Sequence, residues 1–343
     1  MARSPIEISG HSIARGKHQT VILPVPDTYL RQGSGMPVHV FHGRREGPSL
    51  FVCAAIHGDE LNGIEIIRQL TTLKRLSKLA GTLYAIPIVN LYGFLANTRY
   101  LPDRRDLNRF FPGKAGGSLA SELAQVVFDT VVTRCEYGID LHTGSNHRNN
   151  LPHLRGNMKD EVVLGMAEAY GAPLALNVEG TEGTLRHSAE THGVKMLLYE
   201  AGTALCFDEF SIRAGVRGIV SVMEHLGMLT KRKTTRPKKK VSLQVAHDRT
   251  WIRASASGLF RAKAKMGQRV RKGEVLGSIH DPFSHESVDI LSPKNGMVIG
   301  TQSLPSVHKG DAIMHIACFE TLSQAEAQVD TFSEIVMGDG SFS

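Results

Sequence analysis

The 343-residue sequence contains no apolar run close to the ~18–20 residues that a helix needs to cross a bilayer. Its N-terminal residues also lack an apolar stretch that could act as a secretion signal. With 41% hydrophobic and 21% charged residues, the chain has the composition of a globular protein with a sizeable core. We therefore expect a cytoplasmic protein with no membrane partner.

Cysteines are few and none of them is close to another. The four lie far apart and form no CxxC pair, at Cys53, Cys135, Cys206 and Cys318. Closely spaced cysteines are typical of thiolate zinc sites, redox motifs and disulfide frameworks. The sequence argues against all three, and we expect the cysteines to be buried as small hydrophobic residues.

Acidic residues are absent from the most basic part of the chain. Residues 231–240 hold seven lysines and arginines and no aspartate or glutamate, so the remainder is close to neutral although the net charge is +7. A charge run of this kind is usually solvated, and we interpret it as a linker between two domains, 1–230 and 241–343. Contact with RNA or another anionic surface is the alternative. The basic charge is therefore weak support for a nucleic-acid partner.

Residues 1–230 alternate between strand-like and helix-like patterns. The apolar run 48–56 has the length of a buried strand, and apolar residues recur at helical spacing from Leu61 to Leu70. Further buried strands are predicted at 81–89, 137–141 and 194–199. Buried strands separated by helices predict an α/β fold in which a mostly parallel or mixed sheet is covered by helices on both faces.

Residues 241–343 differ, with short β-like segments and glycine-containing turns. The segment 270–279 is similar to 307–316, which predicts two hairpin units and a small all-β domain with pseudo-twofold symmetry. This part resembles the barrel-sandwich of biotinyl and lipoyl domains. Those carriers present a modifiable lysine between the two units, whereas this chain has residues 281–286, which contain no lysine. We expect no attached cofactor.

Two histidines and a glutamate stand at the ends of predicted strands. His57 and Glu60 occupy the junction of a strand and a helix, and His142 ends another strand. The carboxyl ends of such strands meet at one sheet edge, and two histidines with one glutamate leave a fourth position for water, as in catalytic zinc sites. Asp140 is available as a partner that orients the His142 ring. An isolated His-x-x-Glu is more often an ordinary helix start, so the prediction depends on the combination.

Two further features suit a hydrolytic site. Glu200 follows another apolar strand and is either a buried acid with a partner or a general base near the metal. The loop that ends near Gly117 contains four arginines, which suit an acidic substrate because guanidinium groups bind carboxylates in a bidentate fork. They are Arg99, Arg104, Arg105 and Arg109. The alternative is a surface loop whose arginines pair with Asp103 and Asp106.

Four segments together resemble the succinylglutamate desuccinylase/aspartoacylase family, which is related to the zinc carboxypeptidases. They are HGDELNG from His57, the loop NLYGFLANTRYLPDRRDLNRFFPG, DLHTG from Asp140 and YEAG from Tyr199. The resemblance covers about residues 20–230, and a β-domain follows in that family too. The polar stretch 143–150 matches no specificity within the family, so the resemblance does not indicate a particular substrate.

The resemblance implies a role for each matching residue. It implies one Zn²⁺ per chain, held by His57, Glu60 and His142. It further implies that Glu200 is the base and proton shuttle and that Arg99 polarises the scissile carbonyl. The substrate-binding residues it implies are Asn108, Arg109 and Arg186.

The leading hypothesis is a zinc-dependent amidohydrolase that removes an acyl group from a small, carboxylate-bearing N-acylated amino acid or related amine. A metallocarboxypeptidase is the nearest alternative, because a carboxylate pocket would serve a peptide C-terminus equally well. A protein that binds RNA or an acidic partner and keeps a vestigial metal site is an alternative of another class. A homo-oligomer is left open by the sequence.

Overall fold

The computed structural model describes residues 4–26, 35–231 and 240–338. The strands of the first part are β1 (Ile6–Ile8), β2 (His11–Ile13), β3 (Lys17–Pro24), β4 (Gly35–His42), β5 (Arg45–Ala54), β6 (Ala80–Ile86), β7 (Tyr137–Gly144), β8 (Arg148–Gly156), β9 (Leu174–Asn177) and β10 (Lys195–Thr203). Those of the second part are β11 (Gln244–Ala246), β12 (Asp248–Arg253), β13 (Gly258–Ala262), β14 (Arg269–Val270), β15 (Val275–His280), β16 (Ser287–Leu291), β17 (Gly296–Gln302), β18 (Ser306–Val307) and β19 (Ala312–Cys318).

The α-helices are α1 (Asn62–Thr71), α2 (Leu91–Leu95), α3 (Leu119–Thr130), α4 (Glu161–Tyr170), α5 (Leu185–Thr191), α6 (Glu209–His225) and α7 (Leu322–Gly338). Short 3-10 helices cover Lys74–Lys78, Leu107–Arg109 and Val132–Arg134. Several helices begin at a capping residue; Ser118, for example, accepts a hydrogen bond from the Ser121 amide at the start of α3. Over the described residues, no helix combines the length and apolarity required to span a membrane.

The central sheet is mixed and confirms the predicted α/β class. Its main row is β12-β19-β17-β8-β10-β7-β5-β6-β4-β3, in which the four strands β6, β5, β7 and β10 run parallel. Side chains of β5 alternate between the faces: Val52 packs in the core beneath α1, α4 and α6, and Phe51 in the core beneath α3 and α5. Both faces are therefore covered by helices.

The second part is all-β up to α7, as predicted, and it continues the central sheet. β17 pairs with β8, β19 with β17, and β12 with β19, all antiparallel. A second sheet, β16-β15-β13-β18, packs against this extension around a separate apolar core. The two similar segments form β14–β15 and β18–β19. Backbone hydrogen bonds thus join the β-rich part directly to the α/β part.

Cys53, Cys135 and Cys318 are buried, but Cys206 is exposed in the loop after β10, so the expectation of burial is wrong for that residue. Most of the basic stretch 231–240 lies outside the described residues, which include only Lys231 and Lys240 at its ends.

Candidate active site

The predicted ligands and the predicted base Glu200 lie at the carboxyl ends of three neighbouring parallel strands. His57 and Glu60 occupy the turn between β5 and α1, while His142 is in β7 and Glu200 is opposite it in β10. The turn is tight against α2: a Cβ on Gly58 would lie 2.0 Å from a backbone carbon of Gly93, so only glycine fits. The topology therefore brings together residues that are far apart in the sequence.

The Glu60 carboxylate lies between the two imidazoles. His57 Nδ1 is 2.7 Å from Glu60 Oε1, and His142 Nδ1 is 2.9 Å from Glu60 Oε2, which also accepts a hydrogen bond from the Thr143 amide at 2.9 Å. All three side chains are buried, and one donor atom from each lies within 4.8 Å of the others. Both Nδ1 atoms thus face the same carboxylate.

A second carboxylate stands behind each imidazole. Asp140 Oδ2 is 2.8 Å from His142 Nε2, where the sequence predicted an orienting acid. Asp106 Oδ1 is 3.3 Å from His57 Nε2. The sequence singled out Asp106 only as a partner for a loop arginine. Metal-binding histidines commonly have such a partner on the outer nitrogen, which fixes the ring orientation and leaves the other nitrogen for the ion.

These contacts shift the pKa values of the site strongly. Burial alone would lower the pKa of His142, but the Asp140 and Glu60 carboxylates outweigh it and hold the pKa well above the usual range. Burial alone would raise the pKa of Glu60, but the two histidines hold it well below the usual range. The carboxylates therefore stabilise positive charge at the two imidazoles, and this donor set also fits Zn²⁺.

Both interpretations of the loop apply to Arg99, which pairs with a loop aspartate and also faces the candidate metal site. Its Nη2 is 2.8 Å from Asp106 Oδ2, and its Nη1 is 3.6 Å from Glu60 Oε1. Although burial opposes it, the Asp106 and Glu60 carboxylates raise the pKa of Arg99. Arg105 pairs with Asp103 at 2.8 Å, and neither Arg104 nor Arg105 lines the cleft beside the histidines. Of the four loop arginines, only Arg99 and Arg109 face the site.

The three predicted substrate-binding residues line this cleft but differ in their burial and in the hydrogen bonds that they already make. Asn108 is buried, and its Oδ1 accepts the Leu185 amide at 2.9 Å. Arg109 is exposed and donates from Nη1 to the Asn108 carbonyl at 2.6 Å. Arg186 is buried, and its guanidinium donates to the Val178 and Glu179 carbonyls. Arg186 therefore holds a loop that forms part of the cleft wall.

Glu200 is nearly buried and has two partners from β8. Asn150 Nδ2 donates to Glu200 Oε2 at 2.7 Å, and Arg155 Nη1 is 3.2 Å from Oε1. The same carboxylate lines the cleft beside His57 and His142. Glu200 is thus a partnered acid at the candidate metal centre, which is compatible with both roles considered from the sequence.

The cleft is small and rich in arginine. Its volume is about 250 Å³, and it is lined by six arginines, Arg99, Arg109, Arg148, Arg155, Arg186 and Arg249. Sequence reasoning missed the lining residues Asn150, Arg148, Arg155, Arg249 and Trp251. The polar stretch 143–150 was a signal for the first two, but the last two belong to β12 and carry no local signal.

This chain is similar to known proteins in both sequence and structure. The catalytic-domain model of the succinylglutamate desuccinylase/aspartoacylase family matches residues 46–226. An N-alpha-acetyl-L-2,4-diaminobutyric acid deacetylase from Halomonas elongata is 26% identical over 326 residues, covering 92% of this chain and 95% of the relative.

Two solved structures are similar over nearly their whole length. A succinylglutamate desuccinylase/aspartoacylase from Rhodobacter sphaeroides has a TM-score of 0.80 and 25% identity and covers 92% of this chain and 98% of its own. The ectoine utilization protein EutE (DoeB) from Ruegeria pomeroyi shares the fold, with a TM-score of 0.81, 21% identity and coverage of 92% and 99%. The predicted resemblance is confirmed: the chain belongs to the succinylglutamate desuccinylase/aspartoacylase family, a family of deacylases that hydrolyse amide bonds.

Proposed function

We propose that this protein is a zinc-dependent amidohydrolase that removes an acyl group from a small N-acylated amino acid. The observation that carries the proposal is the buried cluster of His57, Glu60 and His142, which shares one arginine-rich cleft with Glu200. An intact donor set, an adjacent carboxylate and cationic walls are the parts that metal-assisted amide hydrolysis requires.

His57, Glu60 and His142 would hold the metal. The Nδ1 atoms of the two histidines face the Glu60 carboxylate, Asp140 binds the outer nitrogen of His142, and Asp106 lies 3.3 Å from the outer nitrogen of His57, so the set fits Zn²⁺. When bound, zinc would supply a Lewis acid for the amide carbonyl and lower the pKa of a coordinated water towards 7.

The chain's own groups then move the protons and meet the developing charge. A Glu200 carboxylate oxygen accepts a proton from the attacking water and delivers it to the nitrogen of the leaving amine. Asn150 and Arg155 keep that carboxylate turned into the cleft. Arg99, held by Asp106, offers an N–H to the oxygen that becomes negative as the carbonyl is attacked.

Asn108 and Arg109 would bind the substrate carboxylate. The Asn108 amide is fixed by its bond to the Leu185 N–H, and Arg109 uses only one nitrogen on the Asn108 carbonyl. The Halomonas relative makes N-acetyl-2,4-diaminobutyrate one candidate substrate. Arg249 and Trp251 of β12 narrow the cleft to about 250 Å³, and this argues against a carboxypeptidase that accepts long peptides.

The test is a substrate panel on zinc-loaded protein. N-acetyl and N-succinyl derivatives of acidic, neutral and basic amino acids would be assayed for amine release, beside tri- and tetrapeptides, and the zinc content would be measured on the same samples. We expect zinc-dependent hydrolysis of at least one N-acyl amino acid and none of the peptides. Peptide trimming with no deacylation would support the carboxypeptidase alternative.

A further inference from the structure

Asn90 lies where two segments of the candidate active site meet. One segment is the turn between β5 and α1, which carries His57, and the other is the loop after α2, which carries Arg99. Asn90 is fully buried and is the N-terminal cap of α2. It is not one of the cleft-lining residues, so any effect that it has on the chemistry passes through its neighbours.

The side chain of Asn90 makes two hydrogen bonds of different kinds. Its Oδ1 accepts the Gly93 N–H at 2.8 Å, which caps α2. Its Nδ2 donates to the backbone carbonyl of Arg99 at 3.3 Å. The first bond is the ordinary role of an asparagine cap, whereas the second crosses the loop and holds the backbone from which the Arg99 guanidinium extends.

The backbone of Asn90 is bonded to the segment that precedes His57. Its N–H donates to the Ala55 carbonyl at 2.9 Å. Ala55 is buried and has a φ of +51°, a left-handed conformation that is unfavourable for a residue with a Cβ, so the surrounding contacts must hold it. Since every residue except proline has a backbone N–H, this bond can survive substitution of the Asn90 side chain.

Close packing joins these segments. A Cβ on Gly93 would lie 2.6 Å from Asn90 Nδ2, and Gly93 also packs against the His57 turn. Arg99 in turn pairs with Asp106 at 2.8 Å, and Asp106 lies 3.3 Å from His57 Nε2. The contacts therefore form a closed circuit that runs from the His57 turn through α2 and Asn90 to Arg99, and returns through Asp106.

We propose that Asn90 is a positioning residue for the proposed hydrolysis: its Nδ2–H bond to the Arg99 carbonyl sets the place of the guanidinium relative to His57. This inference rests on the proposed function and adds a residue that acts on the reaction through Arg99. A donor that stabilises developing negative charge is effective only at a defined distance from the reacting carbonyl. A displaced Arg99 should therefore lower kcat more than it changes KM.

Asn90→Ser and Asn90→Asp both remove the bond to Arg99 and keep the helix cap. Serine and aspartate are good capping residues, but serine is too short to reach the carbonyl and an aspartate carboxylate has no N–H to donate. For a hydrolysed N-acyl amino acid, kcat should fall by roughly tenfold in each variant, with KM within about twofold and zinc content unchanged. Asn97→Asp, at an exposed position in the same loop, is the matched control and should behave as wild type.

Combination with Arg99→Ala separates positioning from a merely structural role. If Asn90 acts through Arg99, adding Asn90→Ser to Arg99→Ala should change kcat by less than about twofold, because the group that it positions is already gone. A helix cap alone would give the same loss in both backgrounds, together with a fall in the free energy of unfolding. An additive loss of kcat, or wild-type kcat in both Asn90 variants, would refute the assignment.

Binding of a tetrahedral anion tests the same relation without turnover. Methylphosphonate resembles the attacked carbonyl in shape and charge, and its dissociation constant on the zinc-loaded protein is measured by titration calorimetry. Binding should weaken by roughly tenfold in Asn90→Ser, and the double variant should bind no more weakly than Arg99→Ala. If no acyl compound is hydrolysed but this pattern is found, the proposed function fails and the positioning of Arg99 by Asn90 stands. If hydrolysis occurs and Asn90→Ser binds methylphosphonate as tightly as wild type, the positioning role fails alone.

Discussion

Glu60 lies between the two candidate zinc histidines. Of these, His142 has a carboxylate on each of its two ring nitrogens. Asp140 orients its outer nitrogen and Glu60 faces the inner one. His142→Ala removes one of three donors, so we expect zinc affinity to fall by more than about 100-fold, beyond the usual effect of losing only an orienting partner. Metal analysis after dialysis measures this.

His147→Ala is the control for that measurement. His147 is exposed just after β7 and belongs to no donor cluster, so its loss should leave zinc content unchanged. The His142→Ala protein should still unfold cooperatively, because the two large apolar cores of the α/β part do not depend on a metal. Full zinc occupancy in His142→Ala would remove that residue from the site.

An isosteric substitution tests whether Glu200 acts as a general base or as a metal ligand. Glu200→Gln keeps the side-chain shape but cannot accept a proton, so kcat should fall by at least ~10²-fold with zinc content and KM nearly unchanged. Glu179→Gln, at another cleft-lining glutamate, should stay within about twofold of wild type. Loss of zinc in Glu200→Gln would instead identify Glu200 as a ligand and put Glu60 in doubt.

Arg109 and Arg99 should affect different kinetic constants. A contact with a substrate carboxylate exists in both ground and transition states, so Arg109→Ala should mainly raise KM. The charge that Arg99 meets develops only during the attack, so Arg99→Ala should mainly lower kcat. Arg109→Lys should rescue incompletely, because an ammonium cannot form the bidentate fork. If Arg109→Ala slows a carboxylate substrate and its neutral amide analogue equally, the carboxylate pocket lies elsewhere.

At the scale of elements, the pairing of β8 with β17 controls how Glu200 is held. A Cβ on Gly300 would lie 2.9 Å from Asn150 Oδ1, closer than side chains normally pack. Gly300→Ala should therefore displace the Asn150 amide from Glu200 and lower kcat by roughly tenfold, the effect of losing one hydrogen bond to a charged group.

A double-mutant cycle distinguishes this displacement from general damage to β17. Asn150→Ala alone should match Gly300→Ala, and combining them should add nothing, because both remove the same contact. Additive losses, or a large fall in the free energy of unfolding for Gly300→Ala alone, would contradict the coupling.

At the scale of the whole molecule, two buried histidines where the β-rich part joins β8 make stability depend on pH. Burial and nearby arginines lower the pKa of His153 to about 3 and of His315 to about 2. Below the unfolded pKa of about 6.5, the unfolded chain therefore binds protons that the folded chain does not. Each histidine should lower the free energy of unfolding by roughly 1.4 kcal/mol per pH unit as the pH falls below that value.

Replacing one histidine isolates its contribution. His315→Phe keeps a ring to stack on Trp251 but cannot bind a proton. Between pH 6.5 and pH 5, the free energy of unfolding measured in urea should therefore fall by about 2 kcal/mol less for His315→Phe than for wild type. His308→Phe, at a highly exposed position, should follow the wild-type curve. Parallel curves for wild type and His315→Phe would show that His315 does not contribute.

The sequence by itself determined the α/β class, the all-β second part and the juxtaposition of His57, Glu60, His142 and Glu200. It could do so because apolar periodicity is local and because parallel strands bring their carboxyl ends to one edge. The sequence shows Asp106 in the arginine-containing loop, but its place beside His57 depends on how that loop folds.

Only the tertiary structure decided the remaining wall of the cleft. Arg249 and Trp251 enter it because β12 is the fourth strand of a row that starts at β8, and antiparallel pairing between distant segments leaves no signature in either segment. The partners of Glu200 depend on the register between β8 and β10 in the same way. Register is set by packing of the whole sheet, so the part of the cleft wall that β12 forms could not be predicted from the chain alone.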